Sequence, residues 1–114
     1  MVARFTASAD DLERDRLHGR FADLELGQAA ICDCPLRRPV RVTGEVRGIK
    51  VVPRAGGSSL EVTVGDGTGE ATAVFSGRRR IRGLDPGRGV VLEGVARREH
   101  DRTILMNPAY TLLP

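Results

Sequence analysis

Aromatic residues are scarce in this chain: three Phe, one Tyr and no Trp, or 4% of the sequence. A core must therefore be built from aliphatic side chains, and a site that relies on stacking has only Phe5, Phe21, Phe75 and Tyr110 to use. Histidine is limited to His18 and His100, far apart, and cysteine to the C-x-C pair Cys32 and Cys34. A zinc-type site needs four ligands, so these residues make no metal centre within one chain, although a second chain could complete a half-site. A disulfide across C-x-C would be strained and out of place in a reducing compartment. We read the two cysteines as small, semi-buried residues leading into the first strand. Long apolar runs are missing too, since nothing approaches the about 20 residues that cross a bilayer and no apolar segment follows a basic start. The expectation is a cytoplasmic protein that makes no membrane contact. Ser76 has no base near it in sequence, and no Ser-His-Asp or paired-acid set is signposted. We therefore expect no enzyme activity, no cofactor and no metal.

Lysine is nearly absent as well. Lys50 stands alone against seventeen arginines, a skew that fits either Arg-rich codon usage or a preference for the bidentate fork that suits phosphate. With 114 residues there is room for one small domain, and a net charge of +3 fits, without requiring, a polyanionic partner. The charge is uneven. Residues 1 to 30 hold four Arg and six acids, a net of −2, whereas residues 31 to 114 hold fourteen basic and nine acidic side chains, a net of +5.

Hydrophobic periodicity also changes along the chain. Over residues 9–26, Leu12, Leu17, Phe21 and Leu24 recur at helical spacing, with Ser8 or Asp10 as a cap and acids in the first turn. From Pro39 the period becomes two. Val40, Val42, Gly44 and Val46 share one side of a strand, and the run resumes after Gly48 as Ile49, Val51 and Val52. A parity shift of this kind marks a bulge or bend that lets one long strand serve two sheets. "PRAGGSS" (53–59) reads as a turn, "LEVTV" (60–64) as the second strand and "ATAVF" (71–75) as the third. A connector over 76–89 carries Ile81 and Leu84, suited to covering an open barrel end. A fourth strand follows over about 90–98, "HDR" turns the chain, and residues 103–113 form a fifth with Pro108 at a bulge or edge. These elements predict an all-β domain over residues 39–114, a five-stranded Greek-key OB-fold barrel, preceded by an N-terminal α-helix and linker over residues 1–38. An SH3-like barrel is the competing architecture; the long first strand and the connector favour OB.

Two stretches invite a functional reading. "GDGTG" (65–69) looks like a phosphate loop, but it lacks the Lys and the following helix that such loops need, and Asp66 and Glu70 would repel phosphate. It reads instead as a hairpin in which Asp66 and Thr68 bond local backbone. The arginines are the better candidates. Arg47, Lys50 and Arg54 lie in or after the first strand, Arg78, Arg79, Arg80 and Arg82 in the connector, and Arg97, Arg98 and Arg102 around the last hairpin. In an OB-fold the loops joining strands one to two and four to five flank the usual ligand face. Phosphate contacts there would give salt-sensitive, largely sequence-independent binding, and the alternative is a solvated connector. Phe75 and Tyr110 are the two stacking candidates, each with a core or core-edge alternative.

The runs "VTGEVRGIKVVPRAGGSSLEVTVGDGTGEATAVFSG", "LDPGRGVVLEGVARRE" and "MNPAY" resemble the wedge-type OB domain of RecG-like DNA helicases. They are also similar to small stand-alone actinobacterial OB-fold proteins. The resemblance spans residues 40–113 and implies a non-catalytic module that binds single-stranded DNA, branched DNA or RNA. No motor accompanies the resemblance, so it carries no ATP-driven unwinding. The second reading is a module for protein–protein assembly, with a protein partner or a homo-oligomer.

Overall fold

The computed structural model describes residues 29–114. The helix expected over 9–26 lies outside the described residues. A short 3-10 helix at Ile31–Asp33 precedes six strands: β1 (Pro39–Arg54), β2 (Gly57–Gly65), β3 (Glu70–Ser76), β4 (Gly89–Glu99), β5 (Arg102–Met106) and β6 (Ala109–Leu112).

β1 is long enough to serve two partners. Its first half, Pro39 to Glu45, pairs antiparallel with β4. Its second half, Glu45 to Arg54, pairs antiparallel with β2, and the register slips by one residue between Val46 and Gly48. Arg47 is the extra residue of that bulge, where the parity of the sequence changes. The tight approach is at Gly44 instead. A Cβ there would lie 2.5 Å from Val64 Cγ1 and 2.7 Å from the Gly65 carbonyl oxygen, whereas at Gly48 it would meet nothing within 4 Å.

β2 and β3 form a hairpin, β3 runs parallel to β5, and β5 runs antiparallel to β4. The β1–β4 pairing closes the ring in the order β1-β2-β3-β5-β4. β1 and β2 turn tightly at Ala55–Gly56, so the turn expected over 53–59 is mostly strand. Pro53 fits because, among the described residues, no strand pairs with the outer edge of this half of β1.

The expected fifth strand is two strands. Asn107 adopts a positive φ of 47°, and Pro108 has no amide hydrogen for a ladder. The break is held by Asn107, whose amide donates to the Val74 carbonyl at 2.7 Å and whose Oδ1 accepts from the Ser76 amide at 2.8 Å. Beyond the break, β6 pairs with the first half of β4, while β5 pairs with its last residues.

Alternation places Val42, Leu60, Val62, Val64, Leu92 and Leu105 inside, each at most 1% exposed. Burying one such side chain contributes about 1.5–3 kcal/mol, which is how a core nearly free of aromatics holds the barrel closed. The connector adds Ile81 and Leu84, 4% and 2% exposed, as plugs in the same core.

The segment ahead of β1 is docked rather than loose. Ile31 is 4% exposed and joins the core. The Gly65–Gly69 hairpin is its socket: Asp66 Oδ2 accepts from the Ile31 amide at 3.0 Å and Thr68 Oγ1 from the Cys32 amide at 3.1 Å. The other carboxylate oxygen, Asp66 Oδ1, accepts from the Thr68 and Gly69 amides at 2.8 and 3.3 Å, closing the local turn. Cys32 is exposed and Cys34 half-buried, both as free thiols, and burial pushes the Cys34 thiol above its ordinary range.

Candidate nucleic-acid interface

The outward face of β2, β3 and β5 forms the floor of an open groove with a cavity of about 480 Å3. Its walls are the β1–β2 turn, with Arg54 and Ala55 to Ser58, and the β4–β5 hairpin, with Arg97, Glu99 and Arg102. The floor carries Ser59, Glu61, Val74, Ser76, Ile104 and Met106. Strand alternation explains this set. Leu60, Val62 and Phe75 point inward, so their neighbours Ser59, Glu61, Val74 and Ser76 face the groove.

Three of the residues singled out in the sequence meet here: Arg54, Arg97 and Arg102. Lys50, exposed on β1, is the direct cross-strand neighbour of Glu61 and so stands beside the floor. Arg98 is exposed and donates to Thr103 Oγ1 at 3.4 Å; it lines an adjoining concavity with Leu36, Arg37, Val95 and Met106. Arg47 lies over the far hairpin, where a Cβ on Gly65 would come 3.0 Å from its Nε. Arg78, Arg79, Arg80 and Arg82 are exposed on the connector, outside the groove lining. Phe75 is 5% exposed in the core and offers no face to a base. Tyr110, 38% exposed on β6, sets its ring edge-on to Phe75 with centroids 5.8 Å apart, again outside the groove. The floor is therefore aliphatic where a stacking platform would be aromatic.

Charge in the groove is more balanced than the Arg count suggests. Glu61 Oε2 accepts from Arg54 Nη2 at 3.3 Å, and its Oε1 accepts from Arg102 Nη1 at 3.1 Å. One carboxylate thus ties both walls together from beneath. Arg97 pairs with Glu99 at 3.0 Å. The lining holds three guanidinium groups against two carboxylates, a net of +1. Glu61 is not among the residues that the sequence singles out; alternation in "LEVTV" only turns it to the outer side. The available signal was its position, an acid in mid-strand between two basic loops.

The β4–β5 hairpin that carries this wall turns through two residues, His100 and Asp101, both at positive φ (50° and 65°). Glu99 and Arg102 pair directly across it, as in a type I′ turn, so the separation of Glu99 from Arg102 is set by backbone. Among the described residues no cluster of three or more His, Cys, Asp or Glu is placed to hold a metal, and no helix is long and apolar enough to cross a membrane.

A closed five-strand ring in the order β1-β2-β3-β5-β4, with a groove between the β1–β2 and β4–β5 loops, resembles an OB-fold. Comparison with solved structures agrees. The chain is similar to a chain of a replication protein A heterotrimer bound to single-stranded DNA, with a TM-score of 0.53 and 15% identity, over 78% of this chain and 67% of that one. No protein-family model matches the sequence, and no curated protein matches it significantly.

Proposed function

We propose that this protein is a non-catalytic OB module that binds single-stranded or branched nucleic acid, DNA or RNA, in the groove between the β1–β2 and β4–β5 loops. The observation that carries the reading is the convergence of Arg54, Arg97 and Arg102, with Lys50 beside them, on the face between those two loops. The likeness to a chain from an assembly bound to single-stranded DNA supports it by analogy of fold. Resemblance to the wedge domain of RecG-like helicases, and to small actinobacterial OB-fold proteins, is the reason to include branched DNA among the ligands.

Chemistry sets the character of the binding. Guanidinium contacts to phosphate are insensitive to sequence and weaken with salt. Of the apolar floor residues, Met106 is 40% exposed and gives sugars and bases an apolar surface without ring stacking, whereas Val74 and Ile104 are buried beneath it, so affinity per nucleotide is lower than on an aromatic platform. Labelled single-stranded, duplex and forked DNA, and RNA, titrated at two salt concentrations, test the reading. Salt-steep binding with a preference for single strands or forks is expected, and no binding at low salt sinks it.

A second reading, an assembly module, has its own observation. Leu36, Val95 and Met106 are 41%, 52% and 40% exposed and line one concavity of about 630 Å3 next to the groove. A concentration-dependent oligomer, or a protein partner whose binding is lost on Val95→Asp, would favour it.

A further inference from the structure

Glu61 is out of character for its place. It is 6% exposed on the floor of a groove read above as a site for a polyanion, and its carboxylate engages one guanidinium from each wall. Its side chain is 7% exposed, while those of Arg54 and Arg102 are 52% and 45% exposed. The buried partner is thus the anion, and the cations reach down to it from the rims. The other groove acid differs: Glu99 pairs with Arg97 in an exposed setting, 42% and 52%, where solvent weakens the attraction.

We infer that Glu61 is an internal competitor for the ligand's phosphates and sets how strongly the groove binds them. At Glu61, Arg54 and Arg102, from opposite walls, meet on one anion, the arrangement that clamps a phosphate. In the free protein the chain's own carboxylate fills that clamp. A phosphate entering the groove must either take a donor from Glu61 or bind to the outer guanidinium edges with a like charge beneath it. Lys50, opposite Glu61 in the β1–β2 register and exposed, is a further cation beside the groove for a strand to touch. Glu61 is therefore a specificity-determining residue. It holds the two walls in register in the free state, and it keeps affinity for isolated phosphates low, so that only a strand touching several cations together binds well.

The inference rests on the reading of the groove as a polyanion site, and inorganic pyrophosphate separates the two. The probe is followed by NMR on the full chain through the amides of Ser59, Val74 and Arg102. The protein is expected to show no saturable response. Glu61→Gln, which keeps the shape and removes the charge, should saturate, and Glu61→Thr, a neutral residue suited to a strand, should do the same. Glu61→Asp keeps the charge and should behave like the parent. With single-stranded DNA, Glu61→Gln should bind about fivefold more tightly at low salt, with a salt slope steeper by about one ion. The inference is overturned if folded neutral variants gain nothing toward pyrophosphate, if Glu61→Asp gains as much as they do, or if Glu61→Gln weakens DNA binding. If the neutral variants gain pyrophosphate while neither they nor the parent bind nucleic acid, the functional reading fails and the competitor role of Glu61 stands.

Discussion

Two arginine-rich regions of the molecule look alike in sequence and are built differently. The connector over 77–88 has the densest run, with Arg78, Arg79, Arg80, Arg82 and Arg88 against Asp85 alone. Its fold is carried by Ile81 and Leu84 in the core, by the Leu84 amide donating to the Ile81 carbonyl, and by Gly87 and Arg88 bonding Val46. Arg88 is structural, since its Nε donates to the Leu113 carbonyl at 2.8 Å. The other four point to solvent, and among the described residues none of them forms an ion pair. The groove holds fewer arginines, but they come from β1 and from the β4–β5 hairpin, which lie far apart in the chain, and its three guanidinium groups all meet an acid. Density along the chain makes a field in solvent, whereas convergence from separate strands makes a site.

The comparison breaks most visibly at its buried end. Arg54→Ala with Arg102→Ala removes both partners of a carboxylate that is 7% exposed. An uncompensated buried charge costs several kcal/mol, and because the lost partners were half-exposed we expect about 2 kcal/mol of stability. Single-strand affinity should fall about tenfold or more, by fluorescence anisotropy, as two phosphate contacts disappear. Adding Glu61→Gln should recover much of the stability and little of the affinity, which separates the two effects. If the double variant melts and binds like the parent, the groove is no more than a second solvated patch.

Rigidity of the groove wall sharpens the comparison with a smaller effect. His100 and Asp101 hold positive φ values that cost non-glycine residues about 1 kcal/mol each. His100→Asn with Asp101→Gly supplies the pair that a type I′ turn favours. The expected gain is about 1 kcal/mol, read as a rise of about 4 °C in Tm. Affinity should change by less than about twofold, since Asp101 is an exposed rim charge. A large loss of affinity would mean that the strained turn itself contacts the ligand.

The fold was more legible in the sequence than the site, for a physical reason. Alternation in "VRVTGEV", "LEVTV" and "ATAVF" reports which side chains are buried, and those same side chains form the core. The shift near Gly48 likewise marked a real register slip. Pairing between distant strands leaves no such trace. The parallel β3–β5 contact joins Ala71 to Thr103 and Val74 to Met106, and no local pattern announces it. The split into β5 and β6 was half visible in Pro108, but the left-handed turn at Asn107 depends on bonds to Val74 and Ser76. For the same reason the basic loops could be named while Glu61 could not. Its role depends on Arg54, seven residues away, and on Arg102, forty-one residues away, reaching one carboxylate. In the sequence Asp66 and Thr68 indicate local turn chemistry, and their contacts to Ile31 and Cys32 appear only in three dimensions.

The smallest expected effect tests the connector. Arg78→Ala with Arg79→Ala and Arg80→Ala removes three exposed charges that touch neither the core nor the groove lining. Stability should stay within about 0.5 kcal/mol of the parent, as for surface changes in general. Affinity should drop about two- to threefold at low salt, with the difference vanishing near physiological salt, because charges more than a Debye length of about 8 Å from the ligand are screened there. A loss that persists in salt would mean that the strand leaves the groove past Gly77, which lines it, and runs along the connector. The two basic regions would then be consecutive parts of one binding path, and the arginines at 78–80 would act by contact. Footprinting a longer single strand on the parent and on the triple variant separates the outcomes, since only a continuous path shortens the protected length when the connector is neutralised.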